Sequence, residues 1–400
     1  MSVRRVIVPV LLLLAACRGA PKQADGGGLA RLVDSLRIPV EKAAGMRFKT
    51  APRSAMRTRE QVRAYLLAKL DEELTPPRLR GLEAAYRLLG LLPDTLSLRA
   101  LLLDIYTEQV AGYYDPDSAM LFGVRGADRS QLRLVLAHEM VHALQGQYLP
   151  LDSILKTTSN NDRLTAAQAI LEGQATLASI DVLAPGQGVS KTQQFWDMYR
   201  DQVEEQQGTM PIFAKAPLVV RQSMIFPYLD GAEFMHWWAS SPHADTLPYG
   251  PRMPRSTEQI LHPERYERKD TPVTLVFPEP GGIFEDVLGE NEIRVLIATL
   301  AGSDEVQTVM PIGWGGDRFR VYDTGAGPGL VWYAVWDDDR SRDRFLRGSA
   351  GALSRTARAG YRAALDTLRV GAAPATRYVL APTVWNRWSS LPVIELGRGD

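Results

Sequence analysis

Residues 131–145 form a predicted helix that is apolar on nearly every side and polar along one narrow stripe. At about 100° per residue, a wide arc of this helix is covered by Leu134, Leu136, Ala137, Met140, Val141, Ala143 and Leu144. The remaining stripe holds Gln131, His138, Glu139, His142 and Gln145. A helix that is apolar nearly all round is buried, and buried polar groups are costly unless each finds a partner. We therefore expect the stripe to face a partner inside the fold.

The flanking segments show the spacing of further helices and of one hairpin. Apolar residues recur with helical spacing over 58–73, 77–92, 97–110, 162–183, 193–205 and 230–240. A turn at Asp115-Pro116-Asp117-Ser118 is flanked by two short apolar runs, 112–114 and 120–124. This pattern predicts a β-hairpin just before the helix over 131–145.

The C-terminal third has a different pattern. Residues 318–322 and 330–336 alternate like paired strands, 341–368 have helical spacing interrupted by glycines, and 377–380 form another predicted strand. The chain is therefore predicted to be α+β. We expect a mostly helical domain over 56–305, which includes a small sheet with an exposed edge strand, and a small α+β unit over 306–400.

The polar stripe contains the pattern H-E-x-x-H, as His138-Glu139-Met140-Val141-His142. Residues four apart lie on one face of a helix, so both imidazoles can reach one metal ion. Imidazole suits zinc, and a neighbouring glutamate can deprotonate a metal-bound water. The alternative is a pair of core histidines bonded to backbone carbonyls, with Glu139 in a salt bridge. Because the chain has only five histidines, a chance match is improbable.

A catalytic zinc site needs a third protein ligand and an open fourth position. The only cysteine is Cys17, so sulfur is excluded near the motif, and the longer pattern H-E-x-x-H-x-x-G-x-x-H fails at Gln145 and Tyr148. Glu172, in the next predicted helix, is the candidate third ligand. The alternative is an exposed helical glutamate, which is the commonest environment of this residue type.

His138, Glu139, His142 and Glu172 together resemble the site of the gluzincin class of zinc metallopeptidases, over roughly residues 110–180. The resemblance implies a zincin-like fold and one zinc ion per chain, held by the two histidines and Glu172, with Glu139 as general base. Many gluzincins carry an aspartate four residues after the third ligand to orient a histidine. Here that position is Thr176, so the support must come from Thr176 or from another residue.

The resemblance extends to two further features of the chain. Residues 254–266 resemble a segment of uncharacterised prokaryotic metallopeptidase-like proteins that carry the same helix. A tetrahedral oxyanion would need a Tyr, His or Arg donor, and the candidates are Tyr228 first, His262 second, then His236 and His243, each with a structural role as the alternative. In zincin folds, the strand before the metal helix forms the edge over the cleft, where an extended peptide could pair; a plain structural hairpin is equally compatible with the residues.

The first 17 residues have the pattern of an export signal. A short basic start precedes eleven apolar residues, 6–16, too few to span a bilayer. Leu14-Ala15-Ala16-Cys17 resembles the bacterial lipobox, where the chain is cut before a cysteine that then carries lipid. We therefore predict a signal peptide over 1–16, lipidation of Cys17, a tethered N-terminal segment over 17–55 and a location in the bacterial cell envelope. An ordinary secretory signal with a fortuitous cysteine is the alternative.

Composition limits the remaining classes of function. The 46 basic and 46 acidic residues balance, which argues against nucleic-acid binding. No stretch beyond residue 16 is apolar for about 18 residues, which disfavours an intramembrane protease. The predicted function is zinc-dependent peptide-bond hydrolysis by a membrane-tethered metallopeptidase acting on peptides or proteins. The alternative is a zinc-containing binding or assembly factor for envelope proteins with little or no peptidase activity. The sequence sets no oligomeric state.

The membrane anchor can be tested by one substitution. We expect Cys17→Ser to release the protein from the membrane fraction or to leave its precursor uncleaved, because the hydroxyl cannot carry the thioether-linked lipid. Fractionation and the mass of the N-terminal peptide measure both results. A Cys17→Ser protein that is processed and localised like the wild type would rule out the lipobox.

Overall fold

The computed structural model describes residues 26–151, 154, 160–186, 188, 190, 192–306 and 308–397. The predicted signal peptide and Cys17 lie outside these residues. Within them, the mixed α+β class is confirmed: helices dominate, and the strands form small sheets. Across the same residues, no helix combines the length and the apolar character that a membrane span requires.

Among the residues from 26 onwards, four helices precede the first hairpin. They are α1 (Gly26–Ala44), α2 (Arg59–Glu73), α3 (Pro76–Leu88) and α4 (Leu98–Gln109). Polar side chains fix where two of them begin. Thr58 and Gln61 form a reciprocal capping box at the start of α2, and the Ser97 side chain accepts the Ala100 N–H of α4. The helices predicted from the spacing over 58–73, 77–92 and 97–110 are thus confirmed to within a few residues.

The predicted hairpin is confirmed within a three-stranded sheet. Its strands are β1 (Arg53–Arg57), β2 (Gly112–Asp115) and β3 (Met120–Val124). The strand order is β1-β3-β2, with β1 parallel and β2 antiparallel to β3. The first strand of the hairpin, β2, therefore lies at a sheet edge, whereas β3, the strand just before the motif helix, is the central strand.

Four longer helices form the centre of the molecule. They are α5 (Arg129–Tyr148), α6 (Asn161–Leu183), α7 (Gln193–Gly208) and α8 (Leu218–Ser240). The closest crossing joins α6 to α8: a Cβ on Gly173 would lie 2.2 Å from the Gly231 carbonyl oxygen, and one on Gly231 would lie 2.1 Å from that of Ala169. Only glycine fits both positions. The crossing brings Glu172, next to Gly173, to the level of Tyr228, one turn before Gly231.

The N-terminal segment predicted over 17–55 is packed into the fold where the structure describes it. Residues 26–44 form α1, and its side chains Leu29, Val33, Leu36 and Val40 are almost completely buried. They pack in one apolar cluster with residues of α5 and α6. The reason lies in the sequence, since the apolar residues recur every three or four positions and bury one face of a helix. Residues 53–57 then form β1, so the described part of this segment belongs to the fold.

The C-terminal half contains short helices, a five-stranded sheet and a strand pair. The helices are α9 (Thr257–Leu261), α10 (Pro263–Glu267), α11 (Gly289–Ala301) and α12 (Asp339–Ser354). The antiparallel sheet has the order β5-β6-β7-β9-β8, and β4 pairs with β10. The strands are β4 (Leu275–Val276), β5 (Phe284–Asp286), β6 (Trp314–Asp323), β7 (Pro328–Trp336), β8 (Tyr361–Val370), β9 (Ala373–Pro382) and β10 (Glu395–Leu396).

Two expectations for the C-terminal half require correction. The helix predicted over 341–368 ends at Ser354, and residues 361–370 form β8, paired along its length with β9. Gly360, at φ +78°, turns the chain between them, and pairing with β9 overrides a weak helical spacing. The unit predicted over 306–400 also begins earlier, because β5 at 284–286 pairs with β6.

The five-stranded sheet shares a core with the helices of the first half. Side chains of α3, α8 and α11 pack with Trp314, Trp332 and other large side chains of the sheet in one buried cluster. A buried carboxylate, that of Asp317, stabilises the contact between the sheet and α11. It accepts hydrogen bonds from the backbone N–H groups of Leu288 and Gly289, at 3.0 and 2.8 Å, and from the indole N–H of Trp332, at 2.9 Å. The sheet is therefore packed on the helices and fixes the start of α11.

Candidate metal centre

Three side chains from α5 and α6 converge at the centre of the molecule. His138 Nε2 lies 3.0 Å from Glu172 Oε2, His142 Nε2 lies 3.3 Å from the same oxygen, and the two Nε2 atoms are 3.1 Å apart. All three side chains are buried, with at most 4% of each residue exposed. The structure therefore brings together the three residues that the sequence predicts as ligands.

The spacing of these atoms fits a small cation. Zinc binds imidazole nitrogen and carboxylate oxygen at about 2.0–2.2 Å, so ligand atoms around a tetrahedral ion lie roughly 3.3 Å apart. The observed separations of 3.0–3.3 Å are close to this value. In addition, Glu172 Oε1 is buried and makes no hydrogen bond within the described structure. Among the described residues, these three form the one group of at least three His, Cys, Asp or Glu side chains that could hold a metal ion.

The electrostatics of the cluster favour a positive charge at its centre. Burial alone would raise the pKa of Glu172, but the neighbouring His142 and His138 lower it to about 2. Burial lowers the pKa of His138, whereas for His142 the Glu172 charge outweighs burial and raises the pKa to about 9. Glu172 is thus held ionised in the interior. A proton on His142 balances this charge, and a divalent cation would balance it more strongly.

Glu139 lies beside the cluster and is held by the edge strand. Its Oε2 accepts the backbone N–H of Tyr114 in β2 at 2.8 Å, while Oε1 is buried without a hydrogen bond in the described structure. Burial raises the pKa of Glu139 to about 8. One oxygen is therefore fixed in place, and the other is left available for a proton.

Gln145 orients His142. The ring N–H at Nδ1 donates to Gln145 Oε1 at 2.8 Å. The Gln145 amide group donates in turn to the Leu171 carbonyl and to Gln174 Oε1, both at 2.9 Å. The two acceptors of the Gln145 amide fix which end of that amide faces the ring. His142 therefore keeps a proton on Nδ1, and Nε2, which faces Glu172 and His138, is the nitrogen that could bind a metal ion in exchange for its proton.

The sequence pattern did not predict that Gln145 orients His142. The position that many gluzincins fill with an aspartate is Thr176, and its buried hydroxyl makes no hydrogen bond in the described structure. Gln145 supplies the contact from α5 instead. The available signal was its place three residues after His142 on the same polar stripe, where a completely buried amide must have a partner.

Tyr228 lies against the cluster. Its ring stacks on that of His138, with centroids 5.7 Å apart and planes at 23°. Burial, followed by the negative charge of Glu172, raises the pKa of the phenol well above its ordinary value. The hydroxyl therefore stays protonated and can act as a hydrogen-bond donor next to the ligands.

His262 occupies a different environment. Its Nε2 lies 2.9 Å from Glu290 Oε1 and 3.2 Å from Arg294 Nη2, both on α11. It makes no hydrogen bond or ring contact with the three ligands among the described residues. The segment around His262 is also held by contacts with neighbouring helices: the Thr257 N–H donates to Asp162 of α6 at 2.9 Å. The structure thus does not bring His262 to the metal centre.

The other two histidine candidates also have local partners. The ring of His236 lies 5.8 Å from that of Trp196, and His243 stacks on Trp238 at 4.9 Å. His243 also approaches Glu267 at 3.1 Å. Among the four candidate donors, Tyr228 is the one that the structure places against the ligands.

Comparison with known proteins characterises only the C-terminal half. Residues 275–383 match the family described as "Domain of unknown function (DUF8575)". The match starts at β4 and ends just after β9, and so covers the five-stranded sheet and α11 but none of the residues of the metal centre. No curated protein and no solved structure matches the chain.

The role of Gln145 leads to a testable prediction. We expect Gln145→Leu to weaken zinc binding by about 10–100-fold, the usual range for loss of a contact that orients a metal-bound histidine. Competition with a chromophoric chelator measures the affinity.

Gln147→Leu is the matched control. This glutamine lies on the same helix but bonds to Lys49 and Thr50 at the surface, so its loss should leave zinc affinity unchanged. Equal affinities for the wild type and Gln145→Leu would contradict the orienting role.

Proposed function

We propose that this protein is a zinc metallopeptidase with a zincin-like fold that hydrolyses peptide bonds in peptides or proteins. The observation that carries the proposal is the cluster of His138, His142 and Glu172, whose ligand atoms all lie within 4.8 Å of one another. Two histidines and a glutamate are a known ligand set of catalytic zinc, with the fourth position left to water or substrate. One zinc ion per chain is the cofactor that these donors fit best.

Glu139 has the properties of the general base. Bound zinc would supply a Lewis acid that polarises the scissile carbonyl and acidifies a water molecule. Oε1 of Glu139 is the atom free to take the water proton, since Oε2 is bonded to the Tyr114 amide. Burial raises its pKa to about 8, and a nearby cation would lower the pKa towards neutrality. A base with such a pKa can accept the proton and then pass it to the leaving amine.

Tyr228 is the proposed donor to the developing oxyanion. Its protonated phenol stacks on the ring of His138 and therefore lies on the ligand side of α8. A fixed donor inside a dry site stabilises negative charge more strongly than water does. This position supports Tyr228 over His262, which is bonded to α11 instead.

The edge strand supports an extended peptide as substrate. The N–H of Tyr114 points away from β3 towards Glu139. In an antiparallel ladder, residues whose polar groups point outward alternate with residues that pair inward, so Gly112 shares the outward direction. A peptide that paired with this edge would have its backbone next to the general base.

The location follows from the N-terminal pattern. We propose that export and lipidation at Cys17 hold the protein in the bacterial cell envelope. The described fold begins with α1 at Gly26, so only a short segment would separate the lipid from the domain. The substrates of the protein would then be peptides or proteins that reach the membrane surface.

Glu139→Gln separates hydrolysis from binding. Glutamine keeps the shape and can still accept the Tyr114 N–H, but it cannot take a proton. We expect the variant to keep its fold and its zinc and to lose at least ~10²-fold in cleavage rate, the low end of general-base contributions. Cleavage of unfolded proteins and a peptide library, followed by mass spectrometry, measures the rate.

The control for this experiment is Glu258→Gln. Glu258 is also buried, and burial raises its pKa to about 9, so glutamine resembles its protonated form. We expect this variant to retain hydrolysis. Equal cleavage by Glu139→Gln and the wild type would show that Glu139 is not the base, and cleavage by neither would favour the binding-factor alternative.

A further inference from the structure

The strand β8 is an open edge of the five-stranded sheet. It pairs residue by residue with β9 over all of its ten residues, and among the described residues no strand pairs with its other side. The opposite edge, β5, is only three residues long and packs against α3. Short strands, bulges and prolines are common protections of a sheet edge, because free backbone groups attract another strand. β8 is long, regular and without proline.

The register shows which backbone groups of β8 point away from the sheet. The Gly360 carbonyl accepts the Thr383 N–H at 2.9 Å, and these two residues continue the register of β8 and β9. In an antiparallel pair, residues that exchange hydrogen bonds alternate with residues whose backbone groups point the other way. The even-numbered residues of β8 are therefore bonded to β9. The N–H and C=O groups of Ala363, Leu365 and Thr367 point outwards.

Two of these residues also carry apolar side chains that the fold covers only in part. Ala363 and Leu365 are half-buried at the margin of the core cluster between the sheet and the helices. Alternate residues of a strand share one face, so both side chains lie on the helix side of the sheet. A further strand along this edge would bury the rest of their apolar surface, which is favourable.

The other face of β8 carries two opposite charges, four residues apart. The guanidinium carbon of Arg362 lies 4.5 Å from the ring centroid of Trp388, and the carboxylate of Asp366 accepts two hydrogen bonds from Arg377 of β9. Both Arg362 and Asp366 remain exposed. Since a carboxylate has about four lone-pair sites, Asp366 can accept a second guanidinium from outside the sheet.

We propose that β8 pairs with β8 of a second copy of this chain, antiparallel and about a two-fold axis at Ala364. In this register, Ala363 of each copy lies opposite Leu365 of the other. Their outward backbone groups exchange hydrogen bonds, and their apolar side chains meet on the helix side. On the other face, Arg362 of each copy lies opposite Asp366 of the other. The two sheets then form one continuous sheet, and the interface is self-complementary, as a two-fold dimer requires.

Charge complementarity selects this register among the possible ones. An axis perpendicular to the sheet keeps every side chain on its own face, and it must therefore pass through a residue. An axis through Asp366 would set two carboxylates opposite each other, which is unfavourable. An axis through Leu365 would place Asp366 opposite Ala364. The axis through Ala364 is the one that sets Arg362 opposite Asp366.

Reversal of the two charges tests the interface. In Arg362→Glu, or in Asp366→Arg, like charges would meet twice across the axis, so we expect the dissociation constant of the dimer to rise at least ~10-fold. The double variant exchanges the charges and should restore the wild-type value, which a role of either residue within one chain would not explain. The full chain, purified in density-matched detergent, is measured by sedimentation equilibrium.

Arg31→Glu is the matched control for the change in charge. Arg31 is exposed on α1, which packs with α5 and α6 rather than with the five-stranded sheet. We expect this variant to dimerise like the wild type.

A disulfide tests the position of the axis. Residue 364 of the two copies would form a pair without hydrogen bonds, with Cα atoms about 4.5 Å apart, which a disulfide can bridge. We expect Ala364→Cys to give a covalent dimer under mild oxidation, read on a non-reducing gel. Thr367→Cys is the control, because the two copies of this exposed residue would be roughly 20 Å apart. The wild type shows any background from Cys17.

The outcomes are independent of the metal centre. A dimeric wild type, weakened by each single charge reversal, restored by the double variant and linked at position 364, is the expected result. The proposal is overturned if the wild type stays monomeric at the highest concentration reached, if the single variants dimerise like the wild type, or if the double variant does not recover. Equal cross-linking at 364 and 367 also overturns it. If hydrogen exchange shows the β8 amides protected only after addition of an unfolded peptide, the edge binds a peptide and the second copy is wrong.

Discussion

The burial of an ionised carboxylate between two imidazoles is the interaction on which the candidate site depends. Glu172 is 2% exposed, and its charge is held in the interior by His138 and His142. A buried charge is very costly unless a partner of opposite charge and hydrogen bonds compensate it. The two histidines, presented by one face of α5, provide that compensation through a shared proton or a shared cation.

The surrounding packing serves to hold this arrangement. Gly173 and Gly231 let α6 and α8 cross at backbone contact, which places Tyr228 beside the cluster. Gln145 fixes the ring of His142, and the Tyr114 amide of β2 fixes one oxygen of Glu139. Thus α8 and β2 contribute one contact each, and α5 itself contributes Gln145. A site held by rigid helices and a strand needs little rearrangement for chemistry.

The metal centre was more predictable from the sequence than its surroundings. H-E-x-x-H places two side chains by local helical geometry alone, and Glu172 followed from the need for a third ligand. The roles of Gln145 and His262 depend on which helices meet, and no local spacing encodes this. Likewise, no helix was predicted over 26–44, because its apolar face is buried only where it meets α5 and α6. The pairing of β8 with β9 lies outside the local spacing that predicted a helix there.

Metal analysis of the purified protein and of its Glu172→Ala variant tests the central claim most directly. The variant removes the third ligand and leaves the H-E-x-x-H helix intact, and circular dichroism establishes that it remains folded. Mass spectrometry with inductively coupled plasma should find close to one zinc per wild-type chain and a large loss in folded Glu172→Ala. Full zinc content in that variant, or no zinc in the wild type after zinc-supplemented expression, would contradict the account.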